Sequence, residues 1–143
     1  HQFLYKMENK KNKIGDFAFS PKGILHLVEQ NGTEGNEGFR KIYSLDFFNS
    51  TDLPLTNPAI ESQIKQFELM TEKELKDSKI EFVAKKEILD LKKVGFNFEK
   101  IEGFAFIDEN HIGIVNDNDF GVANQFGDLP ANTFLGIFSF SYY

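Results

Sequence analysis

Between Lys13 and Phe19 the chain reads Lys-Ile-Gly-Asp-Phe-Ala-Phe, and the two-residue period of a strand puts Phe17 and Phe19 on one side. Ile24 to Asn31 is a second short apolar run ending in polar residues, and Lys41 to Phe47 is a third. The same pattern returns at an offset of 87: Lys100-Ile101-Glu102-Gly103-Phe104-Ala105-Phe106 repeats five of the seven residues of Lys13–Phe19. Without a gap, His111–Asn118 then falls on Ile24–Asn31, and after a longer loop Phe134–Phe140 matches Lys41–Phe47. Each unit reads strand, turn, strand, loop, strand. Ser20-Pro21-Lys22-Gly23 and Asp108-Glu109-Asn110 supply the residues that tight turns favour.

The texture between the units differs. Ile60, Ile64, Phe67 and Met70 recur at helical spacing after Asn57-Pro58, and Thr71-Glu72-Lys73-Glu74 has the capping-box pattern of a short helix ending near Asp77. Ile80–Leu91 reads as strand again, the outer fourth strand of the first unit, and Phe3–Met7 as a strand left over from a preceding unit. Repeated three- or four-stranded units with aromatic faces predict an all-β protein of β-propeller blades. The expected division is a blade unit over residues 13–91 with a helical insertion at 57–78, a second blade unit over 100–143, and a remnant strand before them. Two blades and a remnant do not close a ring, so the chain is expected to be a fragment of a larger propeller, with the remaining blades in a longer chain.

Composition narrows the function. The 143 residues are 41% hydrophobic and 27% charged, a globular balance without the roughly 20-residue apolar stretch of a membrane-spanning helix. A net charge of −6 argues against a general nucleic-acid partner, which needs a basic footprint. With no cysteine there is no thiolate metal site and no cysteine nucleophile. The charge is unevenly placed: Glu102, Asp108, Glu109, Asp117, Asp119 and Asp128 lie in residues 101–143, which contain no Lys or Arg.

Lys13–Ala18 followed by Leu27-Val28-Glu29, Arg40–Asp46, and Lys100–Ala105 followed by Val115-Asn116-Asp117-Asn118-Asp119-Phe120-Gly121 resemble the phytase-like propeller family named for an esterase-like activity of phytase. The resemblance covers most of the chain outside the helical insertion. It implies a propeller and a secreted or periplasmic setting. Family members often carry Arg after the Glu29-type position, where this chain has Gln30.

In an antiparallel hairpin the start of the first strand lies beside the end of the second. A turn centred near Glu109 and Asn110 sets Glu102 opposite Asp117, and the same arithmetic sets Gly15 and Asp16 beside Val28 and Glu29. Adjacent blades are thereby expected to bring Asp16, Glu29, Glu102, Asn116, Asp117, Asn118 and Asp119 to one mouth of a propeller channel. Such oxygen donors are those a Ca²⁺ ion collects, and Glu102 and Asp117 are the expected catalytic pair. The reading is a hydrolase of phosphoester or carboxylic ester bonds on a small-molecule substrate. The alternatives are a lactone-hydrolysing calcium propeller and a non-catalytic propeller that binds a ligand or a protein. His26 and His111 do not align in the repeat and form no zinc pair, and no Ser stands in a nucleophile-elbow context.

Overall fold

The computed structural model describes residues 1–33, 35–53, 67, 69–98, 100–117 and 133–141. The chain divides into two compact units: a smaller one of His1–Lys6 with Asp46–Ala84, and a larger one of Met7–Leu45 with Lys85–Tyr143.

The larger unit carries the strands β1 (Lys13–Phe19), β2 (Leu25–Gln30), β3 (Arg40–Asp46), β4 (Ala84–Asp90), β5 (Ile101–Phe106), β6 (His111–Asn116) and β7 (Leu135–Ser139). They form a four-stranded sheet in the order β1-β2-β3-β4 and a three-stranded antiparallel sheet in the order β5-β6-β7. Two small sheets built from successive repeats, with β1 and β5 alongside each other, form a partial region of propeller blades. Both hairpin turns form where the residues predict them. Gly23 takes φ 75° after a Gly23 N–H to Ser20 O bond of 2.8 Å, and the Asp108 carboxylate accepts the backbone N–H groups of Asn110 and His111.

Each first hairpin contains a bulge at the same repeat position. Ile14 pairs with Glu29 and Asp16 with Val28, leaving Gly15 extra; Ile101 pairs with Asn116 and Gly103 with Val115, leaving Glu102 extra. The register at this end differs by two residues from the expected pairing: the hairpin is centred on Glu109 itself, which shifts it by one, and the bulge, which takes up an added residue inside the strand, shifts it by another. Asp117 therefore stands opposite Lys100, whose carbonyl accepts the Asp117 N–H at 2.8 Å, rather than opposite Glu102.

The core lies between the sheets: Val28 and Ile42 from the first, Ile101, Phe104, Ile112 and Ile114 from the second, with Leu91 and Phe96 from the connection. One face of the first sheet, bearing Asp16, Ala18, His26, Val28, Gln30, Arg40 and Ile42, looks toward the second sheet by strand alternation. Strand β5 is a sheet edge, so part of its backbone has no ladder partner. Side chains of the first sheet supply those partners. Gln30 donates its amide N–H to the Ile101 carbonyl and accepts the Ile101 N–H on its amide oxygen, both at 2.8 Å, and the Asp16 carboxylate accepts the Phe104 N–H at 2.7 Å. Gly15 makes this approach possible, since a Cβ there would sit 2.4 Å from the Ile101 carbonyl and 2.5 Å from the Gln30 amide nitrogen.

The smaller unit carries α1 (Glu72–Asp77), which closes with the expected capping box: Thr71 Oγ1 accepts the Glu74 N–H, and the Glu74 carboxylate accepts the Thr71 N–H. Among the described residues of this unit, Leu53, Leu75, Ile80 and Val83 are buried. The Phe3–Met7 segment is not a remnant strand. The Leu4 carbonyl accepts the Val83 N–H and the Gln2 carbonyl accepts the Leu53 N–H, and no residue of 1–7 belongs to a strand of either sheet. The strand expected from Ile80 begins at Ala84, on the outer side of the first sheet. The expected insertion at 57–78 is seen as α1 at its end; residues 57–66 lie outside the described residues.

Gln30→Leu would leave the buried N–H and C=O of Ile101 without partners. At about 1–3 kcal/mol for each stranded group, the loss of stability is expected to be on the order of 3 kcal/mol, measured by urea unfolding.

His26, fully buried against Phe106 with ring centroids 4.8 Å apart, has its pKa lowered by burial. Its Nδ1 lies 2.9 Å from the Ile24 carbonyl, which only accepts, so the neutral ring holds its hydrogen on Nδ1. The unfolded chain then binds a proton that the folded one refuses, and stability falls as pH drops below about 6.5. His26→Gln is expected to remove this component of the pH dependence in unfolding curves taken between pH 7.5 and pH 5.

Candidate functional site

The sequence singles out seven residues, and the fold uses them differently. Asp16 stands at the end of the β1 bulge, and both of its carboxylate oxygens accept backbone N–H groups, one from Phe17 and one from Phe104, at 2.7 Å each. Glu29 is fully buried on the opposite face of the first sheet, next to Val28 in alternation. Its carboxylate accepts the Glu8 N–H at 2.7 Å, the Asn12 side-chain amide at 2.6 Å and the Lys85 ammonium at 3.1 Å. Lys85 also pairs with Glu8 at 3.0 Å and lies 4.5 Å from the ring centre of Tyr43. Burial, followed by Glu8 and Glu29, pushes the Tyr43 hydroxyl pKa well up.

Asn116 is buried at the end of β6. Its side-chain oxygen accepts the Phe134 N–H at 2.7 Å, so it fixes the entry into β7. Asn118 and Asp119 lie outside the described residues. Glu102 and Asp117 remain: Glu102 is exposed on the β5 bulge and Asp117 is half-buried one residue beyond β6. Among the described residues the five that can be placed do not share one face. Asp16 and Glu29 face away from each other, and the oxygens of Asp16, Glu29 and Asn116 already accept hydrogen bonds or an ion pair from the protein.

The acidic surplus after residue 100 also resolves into separate uses. The N–H of Asn110, then the His111 side chain, holds the Asp108 carboxyl below the usual range, and Glu109 pairs with Lys22 of the neighbouring hairpin at 3.1 Å. Both serve turns. Among the described residues no three His, Asp or Glu side chains gather in a group that could hold a metal ion.

Comparison of the two repeats locates what is special about Glu102 and Asp117. The first sheet closes its seam to the second with Gly15, Asp16 and Gln30. At the same three repeat positions the second sheet has Glu102, Gly103 and Asp117. A side chain replaces the glycine that allowed close approach, a glycine replaces the carboxylate acceptor, and a carboxylate replaces the amide that both donated and accepted. The second sheet therefore lacks the parts of the seam at this end and carries two carboxylates there. The Cβ direction at Gly15 and the alternation from Val115 place Glu102 and Asp117 on the face turned away from the first sheet.

The residues that sequence reasoning missed are Gln30, Lys85 and Arg40. Arg40 is buried and donates to the carbonyls of Phe96, at 3.1 Å, and of Thr33. The signal available for Gln30 was its position at the end of the second strand, opposite the start of the strand that carries Gly15. For Lys85 and Arg40 nothing local distinguishes them from surface cations.

A family model described as phytase-like, esterase-like activity of phytase, matches residues 1–120. No curated protein and no solved structure matches the chain significantly.

Lys85→Met would leave the buried Glu29 carboxylate without its cation, a change that costs about 3–5 kcal/mol when a buried pair loses one partner. The double variant Glu29→Gln/Lys85→Met is expected to recover a substantial part of that loss, measured by urea unfolding of both proteins.

Proposed function

The chain belongs to the phytase-like family named for an esterase-like activity, and from that premise we propose that it is part of a propeller that hydrolyses phosphoester or carboxylic ester bonds at the end of β5 and β6. The observation that carries the reading is the replacement of Gly15, Asp16 and Gln30 by Glu102, Gly103 and Asp117 at one repeat position. Where the first repeat uses three residues to close a seam, the second has carboxylates at the start of β5 and just beyond β6.

Glu102 projects from a bulge, a feature that re-aims a side chain without disturbing the strands on either side. An exposed carboxylate held in this way can accept a proton from an attacking water. Asp117 is kept beside β5 by its N–H bond to the Lys100 carbonyl at 2.8 Å. The calcium part of the proposal draws on Glu102 and Asp117 together with Asn118 and Asp119, which lie outside the described residues; Asp16, Glu29 and Asn116 do not fit as ligands because protein donors occupy their oxygens. Bound there, Ca²⁺ would polarise a phosphoryl or carbonyl oxygen of the substrate. The family suggests a secreted or periplasmic setting.

Glu102→Gln and Asp117→Asn each remove one charge with little change of shape. Calorimetric titration is expected to show calcium affinity falling at least about tenfold for each, since even outer partners of metal ligands cost roughly 10–100-fold, and turnover of a panel of phosphoesters and carboxylic esters is expected to fall with it. Unchanged affinity and unchanged turnover would reduce the pair to surface residues. A fall in affinity with no turnover by the unaltered protein would assign the same site to binding alone.

A further inference from the structure

Asn31 and Gly32 open the loop between β2 and β3, and the loop requires both residue types. Gly32 takes φ 69°, in the left-handed region that favours glycine. The Asn31 side-chain amide works in both directions: its oxygen accepts the N–H groups of Thr33 at 3.1 Å and Phe39 at 2.9 Å, and its nitrogen donates to the Glu37 carbonyl at 3.0 Å. The Asn31 backbone N–H donates to the Phe39 carbonyl at 3.0 Å, which carries the β2-β3 pairing one residue past Gln30. Arg40 holds the loop from its far side by donating to the Thr33 carbonyl. An aspartate in place of Asn31 accepts but cannot donate, and a side chain in place of Gly32 strains the turn. Asn followed by Gly is therefore written here by the loop, and the pair occurs nowhere else in the sequence.

The same pair is the most reactive asparagine context in an unfolded peptide, because glycine has no side chain to shield its nitrogen or restrict its backbone. Once base has taken its proton, the Gly32 nitrogen attacks Asn31 Cγ; a C–N bond closes a cyclic imide, the Cγ–Nδ2 bond breaks, and the side-chain nitrogen takes a proton from water and leaves as ammonia. Water then opens the imide at either carbonyl to give aspartate or isoaspartate, so the net change consumes one water and needs no oxidant or enzyme. We infer that Asn31 is a site of spontaneous deamidation that the folded loop keeps closed, and that its reaction disables the loop for good. Attack makes the planar Cγ tetrahedral and expels the nitrogen, so the three hydrogen bonds of the amide must break first. The reaction therefore proceeds only from the opened loop, at a rate set by how often opening occurs. Its products cannot close the loop again. A carboxylate oxygen meets the Glu37 carbonyl, two acceptors facing each other, and isoaspartate also adds a carbon to the main chain beside Gln30, whose amide joins the sheets.

The test incubates the full chain at mildly alkaline pH, folded in buffer and unfolded in concentrated urea, and follows each asparagine by peptide mass spectrometry. In urea Asn31 is expected to react ahead of every other asparagine. In the folded chain it is expected to react at least about tenfold more slowly than in urea, since opening gives up three hydrogen bonds. An Asn31 that reacts as fast folded as unfolded, or that does not lead the other asparagines in urea, would overturn the assignment. The consequence is read separately. Chains that have reacted in urea are returned to buffer and separated by anion exchange on their added negative charge. They are expected either to fail to refold or to unfold at a lower urea concentration than the unreacted protein, and Asn31→Asp is expected to shift in the same direction. Refolded product and Asn31→Asp with the midpoint of the unaltered protein would show that the loop does not depend on this amide, and the second half of the inference would fall.

Discussion

Edge strands leave backbone groups that water or another chain must satisfy, and the larger unit resolves this at β5 with the side chain of Gln30. An amide is suited to the task because it carries a donor and an acceptor side by side, as a peptide group does. It acts in effect as one residue of a missing neighbouring strand. Much else follows from that mimicry. Position 15 is confined to glycine by the approach, the bulge lets the ladder continue around it, and the faces bearing Val28 and Ile114 are set against each other with Ile101 between them. An Arg at position 30, with five donors and no acceptor, could serve the Ile101 carbonyl but not its N–H.

The same constraint explains why one repeat became a joint and the other did not. A joint needs an empty Cβ position, an acceptor for the Phe104 N–H and a group able to work in both directions. The second repeat changed all three positions while keeping the apolar strands that give the sheet its shape. A side chain such as that of Glu102 would not fit at the Gly15 position of the closed seam, where a Cβ already meets the Ile101 carbonyl at 2.4 Å. Structure and candidate chemistry therefore come from one scaffold, separated by three side chains.

Much of the fold was legible because two of its signals are periodic. Alternation defined the strands, and the offset of 87 fixed which strands correspond, so two antiparallel sheets, their turns and the capping box of α1 could be read directly. The bulge at Glu102 could not, since one added residue leaves the alternation on either side intact and changes only which residues meet. Asp16 and Glu29 were grouped because counting from the turn tells which end of a hairpin a residue occupies; the face follows from strand alternation, and Asp16, opposite Val28, faces away from Glu29. The cation of Glu29, Lys85, comes from 56 positions later in the chain, a pairing that no local pattern signals. The remnant strand failed because a short apolar run does not specify whether a ladder or a loop will accept its backbone.

The chain leaves the first sheet after β3 and returns to it only at β4, and residues 47–83 lie between. Closing a span of that length loses more chain entropy than closing the five-residue turn between β1 and β2, and the loss must be met before the β4 contacts form. The order of events during folding is set by this arrangement. The β1-β2-β3 meander and the β5-β6 hairpin are local and quick to assemble, and the outermost strand is added late. As the chain emerges from a ribosome, the meander is complete while β4 has not yet been made, so its outer edge at β3 stands bare for the whole time needed to synthesise the insertion. A protein built from such interrupted sheets carries its greatest exposure to aggregation during its own synthesis.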